Sequence, residues 1–228
     1  MLNSGVAAGT MRAAFLTIGQ SPRPDIMEDL VDGLKGMSYS EYGILDNYSL
    51  DRILKDFAPE KDQISYVTVL RDGTQVALSK KALSQKLQEL VSHVESSVDV
   101  IVILCTGDFS LVSSKPIVHP SEALVELVKR SSPLSIGVMI PEKSQTDLMR
   151  GRWKTVSRVS KIVVWSPYTS MSTLTRVSRE LKGSGTIVME CLGYSTKHRR
   201  LVEGITGEKA FIPRDAILES IANSVYVT

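Results

Sequence analysis

The chain has 228 residues, of which 43% are hydrophobic and 23% charged, and its formal net charge is +2. This composition is typical of a folded globular protein. Nucleic-acid binding is not expected, because the basic cluster at residues 197–200 has no interleaved aromatic side chains. No apolar stretch approaches the roughly 20 residues that cross a bilayer. Residues 1–10 lack the basic start and apolar core of a signal peptide, so we expect a cytoplasmic protein with no membrane partner.

Strand and helix patterns alternate along the first half of the chain, after a predicted flexible extension at residues 1–10. The predicted elements are a strand over 12–18, a helix over 25–34, a strand over 38–45, a helix over 50–57, strands over 64–70 and 75–78, a helix over 80–96 and a strand over 100–104. The turn Asp72-Gly73 predicts a hairpin between the two middle strands. Leu83, Leu87 and Val91 share one face of the long helix, which predicts that this face is buried.

The second half repeats the alternation. Its predicted elements are a helix over 121–129 capped by Ser121, a strand over 134–140, a helix over 144–157, a strand over 161–165, a helix over 172–181, a strand over 186–190, a helix over 195–205, a short strand over 209–212 and a last helix from Pro213. Such alternation predicts an α/β fold with parallel sheets covered by helices. We expect two similar α/β subdomains, residues 11–113 and 114–212, facing each other across a cleft, with the helix over 213–228 packing back on the first.

The two cysteines, Cys105 and Cys191, are the strongest indication of chemistry. Each follows a short apolar run and precedes a glycine-containing turn, so both should lie at the carboxyl ends of strands, where open α/β sheets bind ligands. A lone free cysteine is often only a small buried side chain, but two at equivalent positions favour a site. A disulfide is not expected in an intracellular chain, and neither cysteine has a second ligand at zinc-type spacing, so no metal is expected.

Three stretches of sequence carry a resemblance to a known family. They are residues 16–25, residues 136–141, and Glu190-Cys191-Leu192-Gly193-Tyr194 followed by Lys197-His198-Arg199. They resemble the AroM family over nearly the whole folded chain. That family is similar to the aspartate/glutamate/hydantoin racemase superfamily, and the resemblance implies two α/β subdomains related by a pseudo-twofold axis, each with a thiol at the cleft. The Cys191 turn resembles the second-cysteine motif of hydantoin racemases, and Cys105-Thr106 the first-cysteine turn of amino-acid racemases.

This resemblance implies acid–base chemistry by the two thiols. Inverting a carbon next to a carboxylate or carbonyl needs a base on one face and an acid on the other, and two facing thiols supply both. We therefore expect Cys105 and Cys191 to be the catalytic groups of a racemase or isomerase that acts on a small carboxylate or cyclic amide. No dinucleotide or phosphate-loop glycine motif is present, which favours a cofactor-independent enzyme.

Other functions stay open at the level of the sequence. A decarboxylase or cis-trans isomerase would use one cysteine. A non-catalytic small-molecule-binding protein would keep the scaffold without turnover. The sequence also leaves the oligomeric state open, a homodimer included.

Further residues are expected to hold the substrate in the cleft. They are Gly19, Gln20, Ser21 and Arg23 after the first strand, Thr106 and Gly107 after the first thiol, Leu192, Gly193 and Tyr194 after the second, and His119 and His198. Backbone amides at strand-to-helix turns are natural donors to carboxylate oxygens. Arg23 is expected to clamp a carboxylate, and the two histidines to line the cleft as acid–base groups. Glu190 adjoins Cys191, but strand alternation should direct its side chain away from that neighbour.

Overall fold

A computed structural model describes residues 10–226 of the chain. The expected extension at residues 1–10 therefore lies outside the described residues except for Thr10, as do positions 227 and 228 of the expected last helix. The elements in chain order are β1 (Met11–Thr17), α1 (Pro24–Met27), β2 (Met37–Gly43), α2 (Leu50–Asp56), β3 (Ser65–Val69), β4 (Gln75–Ser79), α3 (Lys80–Val94), β5 (Val100–Leu104), β6 (Ile117–Val118), α4 (Pro120–Arg130), β7 (Ser135–Ile140), α5 (Thr146–Lys154), β8 (Arg158–Val164), α6 (Met171–Glu180), β9 (Thr186–Met189), α7 (Thr196–Thr206), β10 (Ala210–Phe211) and α8 (Arg214–Tyr226).

The predicted α/β fold with two similar parallel sheets is confirmed. The first sheet has the strand order β2-β1-β5-β6 and the second has the order β8-β7-β9-β10. All neighbouring strands in these two sheets are parallel. The two orders are equivalent, because β1 lies between β2 and β5 just as β7 lies between β8 and β9. β5 and β9 are the strands that precede the two cysteines. Cys105 and Cys191 therefore occupy corresponding sheet edges.

Helices cover both faces of each sheet with buried apolar side chains. On the first sheet, Leu83, Leu87 and Val91 of α3 are fully buried on one face, and α1 and α8 cover the other through Ile26 and Ile217. On the second sheet, α4 and α5 pack on one face and α6 and α7 on the other. Burying an aliphatic side chain of this size stabilises the fold by roughly 1.5–3 kcal/mol. The packed helices therefore fix the positions of the two sheets and of the turns at the ends of their strands.

The structure departs from the predicted elements most clearly in three places. The helix expected over 25–34 ends at Met27 and resumes as a 3-10 helix at Val31–Leu34, and Gly33 lies within this second segment, where the side chain of Leu218 packs closely against it. The N-cap of α4 is His119 and not Ser121, since Pro120 suits the first helical position. Two-residue strand β6 was not predicted, because so short an element shows no periodicity.

The subdomain boundary stays a prediction. β6 lies after the expected boundary at residue 113, yet it pairs with β5 in the first sheet. α8 packs on the first sheet, where Ile217 and Ile221 join its apolar cluster.

Candidate active site

The two thiols lie in turns of matching geometry, which we call the thiol turns, residues 105–107 and 191–193. Cys105 directly follows β5, and Cys191 lies two residues after the end of β9. In each turn the backbone N–H of the glycine two residues on donates to the thiol sulfur. The Gly107 N to Cys105 Sγ distance is 3.3 Å and the Gly193 N to Cys191 Sγ distance is 3.4 Å. The two half-sites are therefore alike at the level of the backbone.

Burial keeps both thiols protonated at neutral pH. Cys105 is 8% exposed and Cys191 is partly buried. Burial raises the pKa of Cys105 to about 12 and that of Cys191 to about 11, while the glycine N–H bonds lower both. A thiolate at Cys191 raises the pKa of Cys105 further, which means that the two sulfurs are electrostatically coupled. Such a pair loses its protons in two separate steps. Between these two steps, one sulfur is a thiolate while the other is still a protonated thiol.

Arg23 places one positive charge close to both thiols. Its side chain is 4% exposed, and its charge lowers the pKa of Cys105 and of Cys191. Its five N–H hydrogens all have acceptors within the protein. They are the two Asp25 carboxylate oxygens at 2.8 and 2.7 Å, the hydroxyls of Thr17 and Thr68 at 3.2 and 3.1 Å, and the Tyr168 hydroxyl at 3.1 Å. In this state Arg23 lacks the free fork that the expected carboxylate clamp requires, and it acts on the thiols through its charge.

A tyrosine that the sequence did not predict lies against each thiol turn. The Tyr168 hydroxyl, bonded to Arg23, lies beside Gly193, because a Cβ at that glycine would approach it to 2.9 Å. The Tyr66 ring lies equally close to Gly107, and its hydroxyl accepts the Asp108 N–H at 3.3 Å. Burial raises the pKa of both tyrosines, and the neighbouring thiolates raise it further. Both hydroxyls are therefore protonated at neutral pH.

A buried ion pair connects the two thiol turns. Arg152 Nη1 donates to Glu190 Oε1 at 2.5 Å and to the Thr106 carbonyl at 3.3 Å. Glu190 Oε2 accepts from Trp153 Nε1 at 2.8 Å, and the Glu190 carbonyl accepts from Thr106 Oγ1 at 3.3 Å. Burial raises the pKa of Glu190, while the Arg152 charge and the Trp153 bond lower it. The residue after Cys105 and the residue before Cys191 are thus held by one guanidinium.

Arg214 of α8 makes a third buried connection. Its Nε donates to the Leu192 carbonyl at 2.8 Å, and its Nη1 donates to the Asp25 carbonyl at 2.8 Å and to Asp29 Oδ2 at 2.9 Å. Its charge lowers the pKa of Cys191. Each of the three arginines near the thiols thus has one carboxylate partner, and this near-neutral balance is consistent with protonated thiols.

The turn after β1 lies beside the site, but its Gln20 and Ser21 side chains bond to the neighbouring loop after β2. The Gln20 amide donates to the Leu45 carbonyl at 3.3 Å, and the Ser21 hydroxyl donates to Asp46 at 2.7 Å. Gly19 has a clear steric role, because a Cβ there would lie 2.5 Å from the hydroxyl oxygen of Thr68. The glycine lets Thr68 reach Arg23.

Several expected cleft residues have structural roles instead. Tyr194 is fully buried and donates to the Trp165 carbonyl at 2.5 Å. Leu192 is 2% exposed within the apolar cluster on the first sheet. The His198 ring accepts the Ser195 N–H at 3.0 Å, which completes a capping box at the start of α7, and burial lowers its pKa. His119 lines a cavity formed by β6, α4 and α8, away from both thiol turns. The structure therefore shows structural contacts for Tyr194, Leu192 and His198 and a separate cavity for His119, and a role of these four residues in ligand binding stays a prediction.

Two cavities adjoin the arginines of the site. One of about 470 Å³ includes Arg23 and Asp25 in its wall. The other, of about 710 Å³, lies between α4 and α5 and includes Arg152 and Asp108. Within residues 10–226, no group of three His, Cys, Asp or Glu side chains could hold a metal ion. No helix in that part of the chain is long and apolar enough to cross a membrane.

Comparison with known proteins supports a racemase-like fold. The model of the AroM protein family matches residues 13–225. Three solved structures have similar folds. They are maleate cis-trans isomerase of Nocardia farcinica bound to TRIS (12% identity, TM-score 0.63, 95% of this chain and 92% of that chain), allantoin racemase from Pseudomonas fluorescens (10%, 0.61, 95% and 92%) and a liganded double mutant of arylmalonate decarboxylase (10%, 0.66, 95% and 93%). The sequence matched no curated protein. At these identities the likeness establishes the fold alone.

Proposed function

The chain belongs to the AroM family, and we propose that it is a cofactor-independent racemase or isomerase that uses Cys105 and Cys191 as acid and base. It would move a proton at the carbon next to a carboxylate or amide carbonyl of a small molecule. One observation carries the proposal: the two thiols occupy equivalent sheet edges in matched turns and share the charge of Arg23. Solved structures with this fold include racemases, isomerases and a decarboxylase.

The electrostatics of the pair suit two-base chemistry. A thiolate with a pKa near 11 is a strong base for a carbon acid, and the partner thiol is still protonated when the first has ionised. One sulfur would take the α-proton while the other returns a proton from the opposite face, after which the two thiols have exchanged protonation states. Arg23 would stabilise the negative charge on either sulfur, so the reaction could run in both directions.

A second candidate function follows from the unequal exposure of the thiols. Cys105 is 8% exposed, whereas Cys191 is more accessible. A decarboxylase or cis-trans isomerase would need one reactive sulfur, and Cys191 would be that residue.

Deuterium wash-in from D2O tests the proposal. Pooled amino acids, hydroxy acids and hydantoins are incubated with the protein, Cys105→Ser and Cys191→Ser, and exchange at the α-carbon is read by mass spectrometry. We expect exchange with the unmodified protein and a loss of about 100-fold in each variant, within the range for removal of an acid–base group. A large loss in Cys191→Ser alone would favour the one-thiol function. Binding of a compound without exchange by the unmodified protein would contradict catalysis and favour a binding role.

A further inference from the structure

We propose that Arg152, and not Arg23, is the carboxylate anchor of the thiol site, and that the ligand reaches it through the cavity between α4 and α5. The inference rests on the proposed function, since it assigns the ligand contacts of the same site. Arg23 and Arg152 differ in the hydrogen-bond donors that their contacts leave free.

The guanidinium of Arg152 keeps an unused edge. Every N–H of Arg23 has an acceptor, whereas the contacts of Arg152 with Glu190, Thr106 and the Met149 sulfur all use Nη1. Among the residues that the structure describes, neither Nε nor Nη2 of Arg152 has a hydrogen-bond acceptor. The side chain is 15% exposed, and it forms part of the wall of a cavity of about 710 Å³. The free Nε–Nη2 edge matches the two oxygens of a carboxylate.

The position of this edge connects the cavity to the chemistry. Arg152 bonds to the carbonyl of Thr106, the residue after Cys105, and its charge lowers the pKa of Cys105. The bond to the fully buried Glu190 fixes the guanidinium before any ligand arrives. Asp108, which follows the first thiol turn, also lines the cavity. A carboxylate bound to Arg152 would therefore present its neighbouring carbon on the Cys105 side of the site.

The rim of the cavity defines the other end of the ligand. Its charged residues besides Arg152 are the exposed carboxylates Asp108, Glu122, Glu126 and Asp147. Lysines pair with two of them, Asp108 with Lys80 at 3.7 Å and Glu126 with Lys129 at 2.8 Å, yet the rim is still net negative. The carboxylates would repel a second negative charge and accept hydrogen bonds from N–H groups. The geometry thus favours a monocarboxylate with N–H donors at its far end over a dicarboxylate.

The first test compares alkylation of Cys105 by iodoacetate and by uncharged iodoacetamide, with peptide mass spectrometry as the readout. The thiolate fraction of Cys105 affects both rates equally and cancels in their ratio. The ratio therefore reports recognition of the iodoacetate carboxylate and not the pKa of the thiol. We expect Arg152→Met to lower this ratio about tenfold. Arg150→Met, an exposed arginine on the same helix, should leave it unchanged. An unchanged ratio in a folded Arg152→Met protein would overturn the assignment.

Two further measurements decide the question if Arg152→Met does not fold. Asp147→Asn removes an exposed rim charge and should raise the iodoacetate ratio about twofold, and no increase would count against the assignment. In the unmodified protein, succinamate should protect Cys105 from iodoacetamide better than succinate, which has the same length and a second carboxylate. Equal or reversed protection would overturn the predicted ligand class. Failure of these tests with α-carbon exchange intact would remove only the Arg152 assignment, whereas the expected ratios without exchange would contradict only the proposed function.

Discussion

The two thiol turns have the same backbone and different surroundings. Each follows the equivalent strand of its sheet, and each has a glycine N–H on the sulfur and a tyrosine against that glycine. Cys105, however, is nearly buried beside Arg152, whereas Cys191 is more exposed and lies beside Arg214. The comparison shows that the repeated sheets set where the sulfurs lie, while unequal burial and the different arginines of α5 and α8 set the pKa of each thiol.

The largest expected effect is a fall in stability at alkaline pH. The pKa of each thiol is raised in the folded protein, so this contribution to stability is fully present below about pH 9 and is lost as the pH rises through about 11 and 12. We expect the free energy of unfolding to fall by a few kcal/mol more in the unmodified protein than in the double variant with both cysteines changed to serine. Urea unfolding between pH 8 and pH 11 measures the difference. Parallel curves for the two proteins would contradict the raised thiol pKa values.

The next effect tests whether the two turns tolerate side chains equally. An added Cβ would lie 2.3 Å from the Phe109 ring at Gly107 and 2.5 Å from Pro167 at Gly193. We expect each glycine-to-alanine change to cost about 1–3 kcal/mol of stability through overpacking, measured by chemical denaturation. Gly204→Ala in α7, where a Cβ meets nothing within 4 Å, is the matched control and should be neutral or slightly stabilising. Equal stability of all three variants would show that the turns are loosely packed.

A smaller effect separates the reactivities of the two thiols. Burial raises the pKa of Cys191 less than that of Cys105, so Cys191 has the larger thiolate fraction at pH 8, and its greater exposure acts in the same direction. We expect iodoacetamide to modify Cys191 faster than Cys105, as measured by peptide mass spectrometry over time. Faster modification of Cys105 would reverse the assignment of the more acidic thiol.

The smallest expected effect shows whether one arginine lowers the pKa of both thiols or each arginine acts on a different thiol. Removing a nearby positive charge raises a thiol pKa and lowers the thiolate fraction below it. Arg23→Met should therefore slow alkylation of both thiols by a few-fold, whereas Arg152→Met should slow that of Cys105 more than that of Cys191. Alkylation rates measured from pH 7 to pH 10 give both pKa shifts. An Arg23 variant that affects only one thiol would show that the charge is not shared.

The sequence predicted the parts of the site that depend on strands. Apolar runs ending in Cys105 and Cys191 were enough to place the thiols at equivalent edges, because parallel strands point their carboxyl ends to one side. Tyr66, Tyr168, Arg152 and Arg214 were not predicted, since each comes from an element distant in sequence and none has a characteristic spacing. The full pairing of Arg23 depends on Thr68 and Tyr168, contacts that only the folded chain creates. Local patterns therefore miss the residues that distant parts of the chain bring to the thiol turns, both the tyrosines that the half-sites share and the arginines on which they differ.

The contacts of Arg214 have a consequence for how the protein is made. Because its bonds to the Leu192 and Asp25 carbonyls join α8 to the second thiol turn and to α1, the site cannot be completed until residue 214 has left the ribosome. A nascent chain would hold both sulfurs and most of both sheets while still lacking this connection. The order of synthesis thus delays the assembled site until the strands of both sheets and the start of α8 have emerged.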